Sequence, residues 1–255
     1  MNAHLFKAVL PPILVAAGVG VLLECVVRAG GIAPYLLPLP SKVLKALVDD
    51  RRELLPPLWE TTRASFIGFS ISAVVGVALA IALSSARWVQ RAFYPYAVLF
   101  QTVPLIAVAP LLVVWFDNSI RAVVACSVIV SVFPIIANTL AGLLSTDPAL
   151  RDLFKLHRAG ALATLWKLRL PFALPNILTG LRIGGGLAVI GVIAGELVIT
   201  GDGLGGEINV WRQQQNLELV FAGLILSALL GIAFFLLINA VSAFTLRHWH
   251  ASEKE

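Results

Sequence analysis

LVFAGLILSALLGIAFFLLINAVSAFTL, residues 219–246, runs from Glu218 to Arg247 without one charged side chain. A helix needs roughly 20 apolar residues to cross about 30 Å of hydrocarbon, so this stretch can span a bilayer unaided. Three other gaps between charges, at 64–86, 92–116 and 122–146, have the same character and are rich in Val, Ile, Leu and Ala. The whole composition agrees with them. The 255 residues are 59% hydrophobic and 13% charged, with a mean hydropathy of +0.91. Soluble domains carry about a quarter charged residues, so much of this surface must face lipid or other helices. A water-soluble enzyme and a disordered chain are both excluded.

Two further spans carry charges: 8–27 contains Glu24, and 176–199 contains Arg182 and Glu196. The expected fold is therefore all-α, one polytopic membrane domain over 1–255. Its six transmembrane helices are expected at about 8–27, 65–85, 95–116, 121–144, 176–199 and 219–243. The first span, following Lys7, also has the apolar centre of a signal peptide. Glu24, Cys25 and Val26 stand where a cleavage site needs small residues, so the span is expected to stay as a helix.

An even number of spans puts both termini on one side. That side then holds Lys7, Arg87, Arg91, Lys167, Arg247 and Lys254 together with the basic residues of the loop after the fourth span, against few carboxylates. Lys and Arg accumulate in cytoplasmic loops, so both termini are expected in the cytoplasm. The net charge of +5 is read as topology, and no nucleic-acid partner is expected beside the lipid bilayer. Cys25 and Cys126 lack paired spacing, and of His4, His157, His248 and His250 only the last two are close, without further ligands, so no metal site is expected.

The segment 145–175 is too polar to insert yet is patterned as structure. Ser145, Thr146 and Asp147 offer capping oxygens, and Pro148 suits a first helical turn. Leu150, Leu153 and Phe154 then recur at helical spacing, with Arg151, Lys155 and Arg158 on the other sides. Leu162, Leu165 and Trp166 repeat the pattern after Ala159, Gly160 and Ala161, whose small side chains suit a bend. Pro171 and Pro175 punctuate the approach to the fifth span. Such a helical hairpin can lie at the lipid headgroups or dock to a partner.

Residues 152–171, DLFKLHRAGALATLWKLRLP, resemble the cytoplasmic loop of binding-protein-dependent ABC importer permeases. That pattern is Glu-Ala-Ala, three residues, Gly, nine residues, Ile, one residue, Leu-Pro. Asp152 falls at the Glu position, Leu153 and Phe154 at the alanines, Arg158 at the glycine, Leu168 at the isoleucine, and Leu170 with Pro171 at the closing pair. The spacing fits throughout while four identities differ, and Gly160 is the candidate for the displaced bend. The resemblance extends to YLLPLPSKVLKAL at 35–47, QTVPLIAVAPLLVVWF at 101–116, SVFPIIANTLAGL at 131–143 and LPFALPNILTGLRIGGGLAVIGVIAGELV at 170–198. These are similar to permeases of the nitrate, sulfonate, taurine and thiamine-pyrimidine or riboflavin precursor group.

The resemblance implies a type I ABC importer permease-like fold, one half of a homodimeric pore in a bacterial inner membrane. It implies separate cytoplasmic ATPase subunits that bind the ATP, and an extracytoplasmic substrate-binding protein. The loop 145–175 would dock into the ATPase through Leu150, Leu153 and Phe154, with Asp152, Arg158, Gly160, Leu168, Leu170 and Pro171 completing the coupling set. The cargo would be a small anion such as a sulfonate, taurine or nitrate, or a pyrimidine- or riboflavin-type vitamin precursor. The chain itself has no Gly-x-x-x-x-Gly-Lys-Ser/Thr phosphate loop, so it is expected to be neither an enzyme nor the holder of a cofactor.

Gly180, Gly184, Gly185, Gly186, Gly191 and Gly195 on the fifth span permit close helix approach. Pro104, Pro110 and Pro134 free backbone carbonyls, which is tolerated beside protein or a water-lined path. Gln101 and Pro104 are accordingly translocation-path candidates. Arg182 and Glu196 each cost roughly 2.5 to 3.5 kcal/mol in hydrocarbon, and about 21 Å of helix separates them. Each needs a partner on another helix or a place along the pore. The sequence GDGLGGE at 201–207 reads as an outer turn that, with 35–63, forms a docking face. Two other function classes compete. An ion-gradient-driven secondary transporter or channel would need midplane carboxylates and an internal repeat, and a membrane-embedded enzyme would need convergent acids or a nucleophile.

Overall fold

In hydrocarbon a backbone must satisfy its own N–H and C=O groups, so the apolar stretches become helices. The computed structural model describes residues 2–31, 33, 36–102, 104–199 and 202–246. Among them lie eleven α-helices and one π turn. The helices are α1 (Asn2–Ala29), α2 (Pro40–Asp49), α3 (Arg51–Leu83), α4 (Arg87–Thr102), α5 (Leu105–Phe116), α6 (Ser119–Leu144), α7 (Pro148–Leu156), α8 (Ala161–Thr164), α9 (Leu170–Val198), α10 (Leu204–Gln213) and α11 (Leu217–Leu246). The π turn, Leu165–Arg169, joins α8 to α9 without a break. Helices α3, α6, α11 and the continuous run Ala161–Val198 are long and apolar enough to cross a membrane, and α5 is a shorter apolar helix.

Where one helix is expected over 95–116, the chain forms two. Pro104 has no N–H to donate to a helix running through it. It stands in extended conformation (φ −71°, ψ 99°) as the N-cap of α5. Helix α3 begins earlier than the expected 65, absorbing Pro56 and Pro57 into its first turns. Within the segment expected as an outer turn, the described residues 202–207 do more than turn: Gly203 caps α10, and Leu204, Gly205 and Gly206 are buried.

Helices α6 and α9 form the most extensive pair, with α3 against both. Small residues set the distance. A Cβ on Gly191 would stand 2.9 Å from Ser127 Cα and 3.0 Å from the Cys126 carbonyl oxygen. Hydroxyls tie the same three helices. Ser131 Oγ donates to Ser127 O at 2.7 Å, leaving Ser72 Oγ, 2.6 Å away, as the donor to Ser131. Ser127 Oγ donates to Ala188 O at 3.0 Å. At the α10 end, Val43, Ala46, Leu54, Trp211, Leu219 and Val220 join α2, α3, α10 and α11 in a second core. Helix α1 packs chiefly on α2, where Glu24 accepts from Ser41 N at 3.0 Å and Ser41 Oγ at 2.8 Å.

Candidate functional site

The loop after α6 is built from its caps. Asp147 Oδ1 accepts from Ala149 N at 2.8 Å, and Pro148 occupies the first turn of α7. Asp152 and Lys155 pair at 2.8 Å on the exposed side. Leu150, Leu153 and Leu156 are exposed, the last at 81%, while Phe154 is half-buried. Leu153, Phe154, His157, Ala159, Ala163 and Lys167 line a shallow cleft between α7 and α8.

The bend is made by Arg158 (φ 51°), and Gly160 sits in extended conformation (φ −64°, ψ 160°) as the cap of α8. Ala159 N donates to Phe154 O at 2.9 Å and Arg158 N to Lys155 O at 2.9 Å. This bond pair closes a helix on a left-handed residue, a place usually held by glycine. The glycine position of the resembled pattern is thus where the backbone needs one, and Gly160 does not take over its work.

Pro171 explains the π turn. Its ring crowds the carbonyl four residues back, and the chain widens just before it, Leu170 N donating to Leu165 O. Leu168 is buried, and Leu170 and Pro171 are half-buried. Two arginines hold this joint to the helix ends. Arg169 Nε and Nη2 donate to Leu143 O, each at 3.2 Å, and its Nη1 and Nη2 reach Ser84 O at 3.4 and 3.3 Å. Arg151 Nη2 donates to Leu143 O at 3.1 Å and Leu144 O at 2.9 Å. Backbone carbonyls carry no residue signature, so nothing in the sequence marks these contacts.

The translocation candidates separate along the bundle. Pro104 marks the α4–α5 break; the Gln101 side chain and the His248–His250 pair lie outside the described residues. Arg182 is half-buried, with Nη2 donating to Ser242 Oγ on α11 at 2.9 Å and a buried Nε without a hydrogen bond. Glu196 is 3% exposed. Thr61 Oγ1 on α3 lies 3.0 and 2.9 Å from its two oxygens, Gly205 N donates to Oε2 at 2.9 Å, and Leu204 N donates to Thr61 Oγ1 at 2.8 Å. A Cβ on Gly203 would overlap the carboxylate. The α10 N-terminus, with its unsatisfied N–H groups, is thereby the partner that Glu196 requires. Glu60, Arg63, Ser119 and Asp202 surround the cleft above it.

Residues 72–247 match the family of binding-protein-dependent transport system inner membrane components. The formylaminopyrimidine transport permease protein ThiX of Halalkalibacterium halodurans is 38% identical over 78% of this chain and 80% of its own length. A probable ABC transporter permease protein of Haemophilus influenzae is 31% identical over 90% of this chain and 94% of its own. The taurine transport system permease protein TauC of Escherichia coli is 28% identical over 86% and 82%. Among solved structures, the inward-facing MetNI methionine ABC transporter superposes with a TM-score of 0.62 at 20% identity, over 76% of this chain and 98% of that one. An amino acid ABC transporter does so with 0.62 at 18%, over 79% and 96%. The fold is that of a type I importer permease, and a gradient-driven transporter or channel is set aside. The chain belongs to the inner membrane components of binding-protein-dependent transport systems, the ABC importer permeases that work with a separate ATPase and a substrate-binding protein.

Proposed function

We propose that residues 145–175 receive the conformational energy, with α7 seated in a groove of a cytoplasmic ATPase subunit that binds the ATP. The observation that carries this reading is the apolar face of α7: Leu150, Leu153 and Leu156 are exposed on a helix outside the bundle. An amphipathic helix of this kind suits helix-in-groove docking. Leu150, Leu153 and Phe154 are its anchors, flanked by Asp152 and by the bend at Arg158 and Gly160. Leu168, Leu170 and Pro171 pass the displacement into α9.

The loop end then faces the cytoplasm and the α10 end faces the binding protein, in a bacterial inner membrane. Both termini lie on the loop side, a topology supported by Ser242 of α11 meeting Arg182 and by α1 reaching α2 at its C-terminal end. Two copies form the pore, each contributing half of a path along Gln101, Pro104, Arg182 and Glu196. The cargo is a pyrimidine-type vitamin precursor, by likeness to the relative named for formylaminopyrimidine transport. A small anion such as a sulfonate is the second reading, favoured by the cationic Arg182 with its unbonded Nε.

The test is copurification of candidate ATPase subunits with this chain, wild type against the double variant Leu153→Asp and Phe154→Asp. ATPase retained by the wild type and lost from a normally inserted double variant is the expected result. Equal retention would remove α7 as the docking element. An absence of any ATPase on the wild type would remove the coupling role of the loop.

A further inference from the structure

The geometry points to Arg169 as a positioning residue that delivers the loop's displacement to α3 and α6 together with α9. This rests on the coupling role proposed for 145–175. The last carbonyls of a helix have no partner within it and attract cations through the helix dipole. Leu143 O lies in the last turn of α6, and Ser84 is the C-cap of α3. One guanidinium, on the turn that opens α9, donates to both. Its planar fork presents five donors, whereas a lysine ammonium is a compact point charge. Nη2 reaches both carbonyls, and Nε and Nη1 add a second bond to each, so one planar group holds two separate helix ends at once.

The π turn supplies the aim. One extra residue in a turn rotates the residues beyond it by about 100°, and π insertions recur at functional sites. Here the widened turn buries Leu168 and leaves the next residue, Arg169, directed at the two helix ends. Arg151 makes a second tie from α7 to the same Leu143 carbonyl. A push on α7 therefore meets α6 through Arg151, and α3, α6 and α9 through Arg169. Without the clamp the push would enter α9 and, through Arg151, α6, and would lose its direct route to the end of α3.

The test uses the permease with its copurified ATPase in nanodiscs, in a background of Cys25→Ser and Cys126→Ala. Spin labels at Ser85, just beyond α3, and Ala161, at the start of α8, report their separation without nucleotide and with bound ATP. In the wild type the separation is expected to be the same in both states, because the clamp moves α3 with the loop. In Arg169→Met, with the ATPase still bound, it is expected to change by about 2 Å or more between states, the size of a helix shift. Arg169→Gln, too short to reach both carbonyls, is expected to give the same loss and serves if the methionine variant fails to insert. A separation in the variants that is independent of nucleotide, whether native or uniformly displaced, would reduce Arg169 to a structural residue and overturn the inference. A wild type that binds no ATPase would overturn it together with the reading on which it rests.

Discussion

Two glycines five residues apart on α9 should respond to the same substitution with opposite signs. Around Gly186 no atom outside its own helix turn lies within 4 Å of an added Cβ. A glycine in a helix interior costs about 0.5–1 kcal/mol relative to alanine, so Gly186→Ala should stabilise by about that much. At Gly191 the same methyl would sit 2.9 Å from Ser127 Cα and 3.0 Å from Cys126 O. Carbon contacts are comfortable at about 3.5–4.0 Å, so α6 and α9 must part by about 0.5–1 Å, forfeiting a quarter to a half of the dispersion energy along that line. Overpacking of this kind costs about 1–3 kcal/mol. After subtracting the gain in helix propensity, the net loss is up to about 2.5 kcal/mol. For a chain of this length about 1 kcal/mol moves the midpoint by about 2–4 °C. Thermal ramps of the purified protein in detergent, followed by the fluorescence of its six tryptophans, should show Gly186→Ala rising and Gly191→Ala falling. Shifts of the same sign would refute the claim that backbone contact at Gly191 sets the α6–α9 distance.

Thr61→Val removes the hydroxyl that links Leu204 N to Glu196, and an orphaned buried donor costs about 1–3 kcal/mol. Amide exchange at 203–206 should accelerate by about fivefold or more, and unchanged exchange would show that water replaces the hydroxyl. Arg158→Gly should relieve a left-handed residue (φ 51°): about 1–2 kcal/mol of strain less about 0.5–1 of added chain entropy. Exchange of the Ala159 amide should slow by about two- to fivefold; acceleration would show that Arg158 is held there by contacts worth more than its strain. Gly203→Ala should detach the start of α10 from Glu196, because the added methyl overlaps the carboxylate. Limited proteolysis should then cut within 199–216, and a resistant variant would count against the clasp.

The spans were legible because solvation is written one residue at a time. The gaps from Glu218 to Arg247 and from Arg121 to Asp147 need no tertiary information to be read as helices in lipid. Pro104 was legible as a disturbance, yet whether a proline kinks a helix or ends it depends on what packs beside it, and here α5 starts afresh. In the loop, spacing proved more informative than identity. The position that the resembled pattern reserves for glycine is the one with positive φ, although arginine fills it and a true glycine stands two residues on. What stayed hidden was the acceptor side of each buried charge. Glu196 announces that it needs donors, but Thr61 is 135 residues away, and the Gly-Leu-Gly-Gly of 203–206 looks like a turn until packing against α9 makes it a helix start.

Alternating access by rigid-body motion requires a unit stiff enough to carry a displacement across the bilayer. A helix bonded to a neighbour at one end can pivot about that end; one bonded to the same neighbour at both ends cannot. Helix α9 meets α3 through Arg169 and Ser84 at the loop end, and through Glu196 and Thr61 at the α10 end. Between them, Ser72, Ser131 and Ser127 tie α3 to α6 and α6 to α9. The glycines that bring α6 and α9 together leave no slack for one to slide past the other. Because Glu196 also holds Gly205, the N-terminus of α10 travels with α9. A displacement entering at the loop end therefore reaches the α10 end through three helices in parallel. The converse holds as well: a force applied to α10 reaches Arg169 and the loop by the same bonds.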